Sequence, residues 1–141
     1  MKRNASAVWQ GDLKSGKGSI STESGVLKET QYSFSTRFEN GVGTNPEELI
    51  AAAHAGCFSM AFSAELGKAG FTPASIATTA TITMDKTEAG FTVTESHLEM
   101  TANIPGIDPE KFTAIANAAK AGCPISRLLN AKISLNAKLA A

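Results

Sequence analysis

Two cysteines, two histidines and a few well-placed charges carry the chemistry open to this 141-residue chain. Cys57 lies within AAAHAGCFSMAF, residues 51–62, and His54 precedes it by three residues, a spacing that places both on one helix face. Cys123 stands between Gly122 and Pro124, where a helix stops and the chain turns. The residue before a proline is biased away from helical angles, so Cys123 is expected at a corner where a thiol can be reached. Cys57 admits several roles: a small hydrophobe that fills a gap, a metal ligand, half of a structural disulfide, or a reactive thiol.

Each role has a chemical requirement. A structural zinc takes about four ligands, which is every cysteine and histidine in the chain, and His97 falls on a strand without paired ligand spacing. A Cys-His hydrolase needs a third group to orient its histidine, and a histidine one turn away on the same helix is poorly placed to move between thiol and substrate. The plainest role for His54 is a partly buried helix residue bonded to backbone. A reactive Cys57 needs help, because a thiol with pKa near 8.5 is only roughly 3% ionised at pH 7. Cys57 lies about three turns into its helix and gains little from the helix dipole. Arg37, in STRFE, is the cation best placed in sequence to lower the pKa; otherwise it is a solvated strand-end arginine. Glu47 either favours the helix dipole or orients Arg37 through a bidentate pair.

The elements that must position these groups can be read in order. Ala5–Gln10, Gly18–Thr22 and Thr30–Phe38 carry β-branched and aromatic residues between glycine-containing turns and predict an antiparallel meander. GTNPEELI predicts a helix start: Asn45 as N-cap, Pro46 at the first helical position and Glu48 completing a capping box. This helix should run to about Leu66 and stop at Gly67 or Gly70. It is apolar on nearly every side and rich in small residues, which predicts burial all round, with a second subunit supplying part of the cover.

Ile76, Ala80, Ile82 and Met84 alternate with threonines and predict a strand. A turn at Ala89-Gly90 leads to a second strand, with Phe91 and Val93 inward. Leu98, Met100, Ala102 and Ile104 then continue in the opposite parity, so a bulge is expected between Thr94 and His97. Asp108-Pro109 opens a helix with Phe112, Ile115, Ala116 and Ala119 on one face, ending at Gly122. CPISRLL gives a short helix, and Ile133, Leu135, Ala137 and Leu139 a final strand. Strands and helices are partly segregated, so the class is α+β.

Length points to a single domain spanning residues 1–141. Thirteen basic and thirteen acidic residues are spread along the chain with no basic stripe, which argues against nucleic acid as a partner. The opening MKRNASAVWQGDL lacks the apolar core of a secretory leader. Leu49–Leu66 contains His54, Ser59, Ser63 and Glu65 and falls short of the roughly 20 apolar residues of a membrane span. The expectation is a cytoplasmic protein with no membrane partner, where thiols stay reduced and paired cysteines are more often catalytic or metal-binding than structural.

TRFE, then GTNPEELIAAAHAGCFSMAFSAELGKAGFTP, together with IPGID and AKAGCPISRLL, strongly resembles the osmotically inducible protein C family, the OsmC branch of the OsmC/Ohr hydroperoxide-resistance peroxidases. The resemblance covers essentially the whole chain, including WQGDLKSGKGSISTESGVL near its start. It implies antiparallel sheets around a long buried helix, in an intertwined homodimer with active sites at the subunit interface. It also implies a metal-free, cofactor-free cysteine peroxidase acting on organic hydroperoxides. By motif, Cys57 corresponds to the peroxidatic thiol, Cys123 to the resolving thiol, Arg37 to the group that activates the thiolate and Glu47 to the carboxylate that holds Arg37. Recycling by an external dithiol, such as a lipoyl protein, belongs to the same implication. Ten residues of straight helix from Glu47 to Cys57 correspond to about 15 Å of rise, so the Arg37 and Glu47 that serve a given Cys57 are expected from the other subunit. Phe58, Met60 and Phe62 either line an apolar pocket or pack as core. A non-catalytic stress protein that binds an apolar ligand in the dimer pocket is the alternative function.

Overall fold

A computed structural model describes residues 1–140, and their contacts divide the chain into two units, Met1–Leu49 and Ile50 onward. The first unit is built on three antiparallel strands in the order β1 (Ala5–Gln10), β2 (Lys17–Thr22) and β3 (Thr30–Tyr32). Gly18 is opposite both Trp9 and Tyr32, whose rings lie 5.6 Å apart. A Cβ at Gly18 would run into the Tyr32 ring and come within 2.8 Å of Trp9, so only glycine lets the two aromatics close over the sheet.

The third strand is shorter than its composition predicts. It ends at Tyr32, and α1 (Phe34–Phe38) follows in place of a continued strand. The cause is a capping box: the Thr36 backbone N–H donates to Ser33 Oγ at 3.3 Å, and the Ser33 backbone N–H donates to Thr36 Oγ1 at 2.8 Å. Two local hydrogen bonds thereby override the strand preference of Phe34 and Phe38.

The long helix α2 (Pro46–Lys68) begins where the sequence predicts. Asn45 Oδ1 accepts the Glu48 backbone N–H at 2.8 Å, and Pro46 follows the cap. The reciprocal half of the box is exchanged for another bond, because the Glu48 carboxylate accepts the Thr44 hydroxyl at 2.7 Å. Asn45 Nδ2 also donates to the Thr36 carbonyl at 3.0 Å, which ties the start of α2 to α1.

The second unit has its own sheet, β4 (Ser75–Thr87), β5 (Gly90–Asn103) and β6 (Lys132–Leu139). β4 and β5 form an antiparallel hairpin whose register breaks where Thr83 faces Glu95 but Met84 faces Val93. Thr94 is therefore the extra residue, at the near edge of the window the parity change predicts. Beyond it Ser96, Leu98, Met100 and Ala102 turn inward. Phe91, expected inward, is 66% exposed near the hairpin tip.

The sheet is also not antiparallel throughout. β6 pairs with β5 in parallel, because α3 (Pro109–Gly122) and α4 (Pro124–Leu128) return the chain to the starting end of β5. α3 begins as expected, with Asp108 Oδ1 accepting the Lys111 backbone N–H at 2.9 Å.

The core of this unit packs α2 and α3 on the inward face of the sheet. Phe58, Phe62 and Leu66 are fully buried at a spacing of four residues on α2 and meet Leu98, Met100, Phe112, Ala116 and Ala119. Phe62 stacks on Phe58 with centroids 6.1 Å apart and meets Phe112 edge-on at 5.8 Å. In the single chain α2 is not enclosed all round: Ala52, Ala53, Gly56, Met60, Ser63 and Ala64 are exposed, Met60 at 77%. By length and hydropathy α2 could cross a bilayer; in this fold its Phe-Phe-Leu face is occupied by the core.

Candidate active site

The candidate residues form two separate constellations. In the second unit, both cysteines are unbonded thiols: Cys57 is half-buried and Cys123 is fully buried. The expectation of a reachable Cys123 is therefore wrong. Its backbone does turn as the following proline requires, with φ −56° and ψ 125°, but the residue is buried in the core cluster that also holds Leu98, Ala116 and Ala119. Position at a corner fixed the backbone and not the direction of the sulfur.

That inward direction brings the two sulfurs together. The Cys57 thiol lies close enough to Cys123, and to the Ile125 backbone N–H at the start of α4, for both to influence its ionisation. Burial is the largest influence on Cys57 and pushes its pKa up; the neighbouring Cys123 adds to this and the Ile125 N–H opposes it. The second unit by itself thus holds Cys57 as a neutral thiol, consistent with a mid-helix position that gains little from the dipole.

His54 is neither a ligand in a cluster nor bonded to backbone, as its plain reading has it. It is fully buried, with Nδ1 2.6 Å from Ser96 Oγ and Nε2 2.8 Å from Ser126 Oγ. Burial lowers its pKa. Sequence reasoning missed both serines, although Ser96 carried a signal: it is the polar member of an inward series that continues with Leu98, Met100 and Ala102. His97 lies in a separate network, bonded to Ser134 at 2.6 Å and Glu99 at 2.9 Å. Among the described residues no group of three or more His, Cys, Asp or Glu side chains could hold a metal ion.

The second constellation lies in the first unit. The capping box that starts α1 places Arg37 in its last turn, and the Asn45 cap places Glu47 in the first turn of α2. Arg37 Nε and Nη2 both donate to Glu47 Oε1, at 2.9 and 2.7 Å, and Nε also reaches Oε2 at 3.2 Å. Glu47 thus makes a bidentate pair with Arg37 while also standing in the first turn of α2, where the helix dipole favours its charge. The guanidinium carbon also lies 5.3 Å from the Phe38 ring centroid. Beside it is an open hollow of about 280 Å³, lined by Arg37 with Trp9, Leu13, Tyr32, Phe34 and Phe38. Phe58 and Phe62 pack as core, while Met60 faces outward.

Residues 38–138 match the family model described as OsmC-like protein. The chain is 56% identical to Peroxiredoxin OsmC of Escherichia coli, over 97% of this chain and 96% of that protein. It is 27% identical to the organic hydroperoxide resistance protein OhrB of Bacillus subtilis, over 86% of this chain and 88% of that one. The OsmC-like protein VCA0330 of Vibrio cholerae, at 16% identity, shares the fold with a TM-score of 0.78, covering 97% of this chain and 99% of that one.

Proposed function

This chain belongs to the OsmC-like protein family, and from that premise we propose that it is a thiol-dependent peroxidase, reducing organic hydroperoxides to alcohols through Cys57 and Cys123. The observation that carries the reading is the pair of free thiols packed in one cluster, one half-exposed and one buried. The exposed member can meet a peroxide, and the buried member is protected from oxidation until its partner has reacted.

In this mechanism the Cys57 thiolate attacks the distal peroxide oxygen. The O–O bond breaks, the alkoxide leaves as the alcohol after taking a proton, and Cys57 becomes a sulfenic acid. Cys123 then attacks that sulfur. An S–S bond forms, the S–O bond breaks, and hydroxide departs as water with the thiol proton. An external dithiol reduces the Cys57–Cys123 disulfide by exchange and is itself oxidised to a disulfide. No metal or cofactor enters these steps.

The first step needs a thiolate, and the second unit favours the neutral thiol. The activating charge in this reading is Arg37, oriented by Glu47 and contributed by a partner subunit across a homodimer. The exposed small-residue face of α2 supports such a partner, since Ala52, Ala53 and Gly56 leave room for close approach. The hollow beside Arg37 suits the apolar substituent of an organic hydroperoxide. The name of the Bacillus relative, an organic hydroperoxide resistance protein, supports the substrate class. In this reading residues 1–141 form a single peroxidase domain that works in the cytoplasm, where a dithiol such as a lipoyl protein can recycle it.

Counting free thiols before and after one equivalent of cumene hydroperoxide tests the reading. Loss of both thiols per chain, with release of cumyl alcohol, is expected. Retention of both would leave a protein that binds apolar ligands without reacting.

A further inference from the structure

His54 is completely buried, and the peroxidase steps leave it unused. Its two ring nitrogens reach serines far away in the chain, Ser96 on β5 and Ser126 on α4, at 2.6 and 2.8 Å. A neutral imidazole has one donor and one acceptor, and a hydroxyl can serve either, so both contacts are satisfied without a buried charge. Removing the ring leaves two buried hydroxyls without this partner.

The residues three positions away give this contact its meaning. Cys57 follows His54 by three residues on α2, and Ser126 follows Cys123 by three at the other end of the pair. α2 is therefore joined to α4 by the bond from His54 to Ser126, and beside it Cys57 packs near Cys123, the residue that opens α4. α4 is only five residues long, and its N-cap, Cys123, makes no side-chain capping bond. So short a helix has little stability of its own and takes its position from what it is tied to.

We propose that His54 is a positioning residue for the resolving step: by tying Ser126 of α4 to Ser96 of β5, it holds the Cys123 sulfur within bonding range of Cys57. The step it serves is condensation of the Cys57 sulfenic acid with the Cys123 thiol, which forms the S–S bond and releases water. The inference rests on the peroxidase reading for that step, whereas the placement of the two sulfurs is a property of the fold alone. His54 touches neither sulfur in this role and acts through α4. Loss of the tie lets α4 drift, and a displacement near 1 Å is enough to slow a positioned reaction by about 100-fold.

The test compares full-length wild type with Ser126→Ala and Ser126→Thr, each confirmed folded by circular dichroism. With one equivalent of cumene hydroperoxide, Ser126→Ala should consume the peroxide at the wild-type rate. Its disulfide should form at least ~10-fold more slowly, with dimedone-trapped Cys57 sulfenic acid accumulating. Ser126→Thr, which keeps the hydroxyl, should restore fast closure. A second measurement needs no peroxide: equilibrating the disulfide against glutathione should give a lower effective concentration for the two thiols in Ser126→Ala than in wild type or Ser126→Thr. Wild-type closure rate and equilibrium in Ser126→Ala would overturn the positioning role, as would failure of threonine to restore them. If wild type consumes no peroxide, the peroxidase reading fails while the glutathione equilibrium still decides whether the tie positions the sulfurs.

Discussion

Arg37 meets Glu47 edge-on, with Nε and Nη2 converging on Oε1 at 2.9 and 2.7 Å. The carboxylate fixes the plane of the guanidinium and occupies one edge, so Nη1 lies on the opposite edge. Glu47 comes from the first turn of α2, where the helix dipole also favours its charge. Glu47→Gln keeps the shape and loses the charge. Under the proposed mechanism kcat/KM for cumene hydroperoxide should fall about tenfold, the lower end for a charge-assisted hydrogen bond because the pair is partly exposed. Steady-state kinetics at fixed dithiol concentration checks this.

Arg37→Ala should move the pH profile of Cys57 alkylation upward. Burial and the neighbouring Cys123 already raise this thiol, and among the described residues only the Ile125 N–H acts to lower it. Iodoacetamide alkylation followed across pH reads the shift, using Cys123→Ser as background so that one thiol titrates. An unmoved profile would clear Arg37 of thiolate activation.

The two cysteines should fail in different ways. Cys57→Ser should show no peroxide consumption at all. Cys123→Ser should consume about two equivalents and then stop, because its sulfenic acid, formed with the first, has no resolving thiol and is carried to the sulfinic acid by the second. Intact mass separates these outcomes: two added oxygens are expected on Cys123→Ser and none on Cys57→Ser. Sustained dithiol-driven turnover by Cys123→Ser would remove its resolving role.

Stability should fall in acid partly through His54. Its folded pKa is lowered by burial, so between that value and the ordinary 6.5 the unfolded chain binds the extra proton. The contribution is therefore complete above the ordinary histidine range and is lost as pH falls through the lowered value. Urea unfolding at a series of pH values should show a steeper acid decline for wild type than for His54→Gln, although the variant is less stable near neutrality.

Phe62→Ala should be among the most damaging core changes. Phe62 is fully buried between Phe58 and Phe112, and emptying such a site costs about 3–5 kcal/mol. Chemical denaturation should place its midpoint well below that of Met60→Ala, whose side chain is 77% exposed.

Where local chemistry decides, the sequence was a sound guide. Asn45-Pro46 and Asp108-Pro109 open helices because a capping side chain and a preset proline φ act within a few residues. The bulge at Thr94 followed from the parity of Leu98, Met100 and Ala102 against Val93. The strand expected through Phe38 failed for a local reason that was also visible, since Ser33 and Thr36 have capping-box spacing and the aromatic residues masked it.

Other features depend on contacts no window contains. The parallel pairing of β6 arises from a two-helix return, and the inward turn of Cys123 from packing on α3. His54 finds its partners 42 and 72 residues away. The motif resemblance brought Cys57, Cys123, Arg37 and Glu47 into view, whereas the serines that anchor His54 emerged only with the coordinates.

The joint between α3 and α4 has no slack. Cys123 closes the first helix through its N–H to Ala119 and opens the second through its carbonyl to Arg127. One inserted residue just after it would rotate everything that follows by about 100°, swinging the Ile125 amide and the Ser126 hydroxyl off their partners together. Residue spacing at this junction is therefore as strict a requirement as residue identity, and a homologue with altered length here would need a different way to close its disulfide.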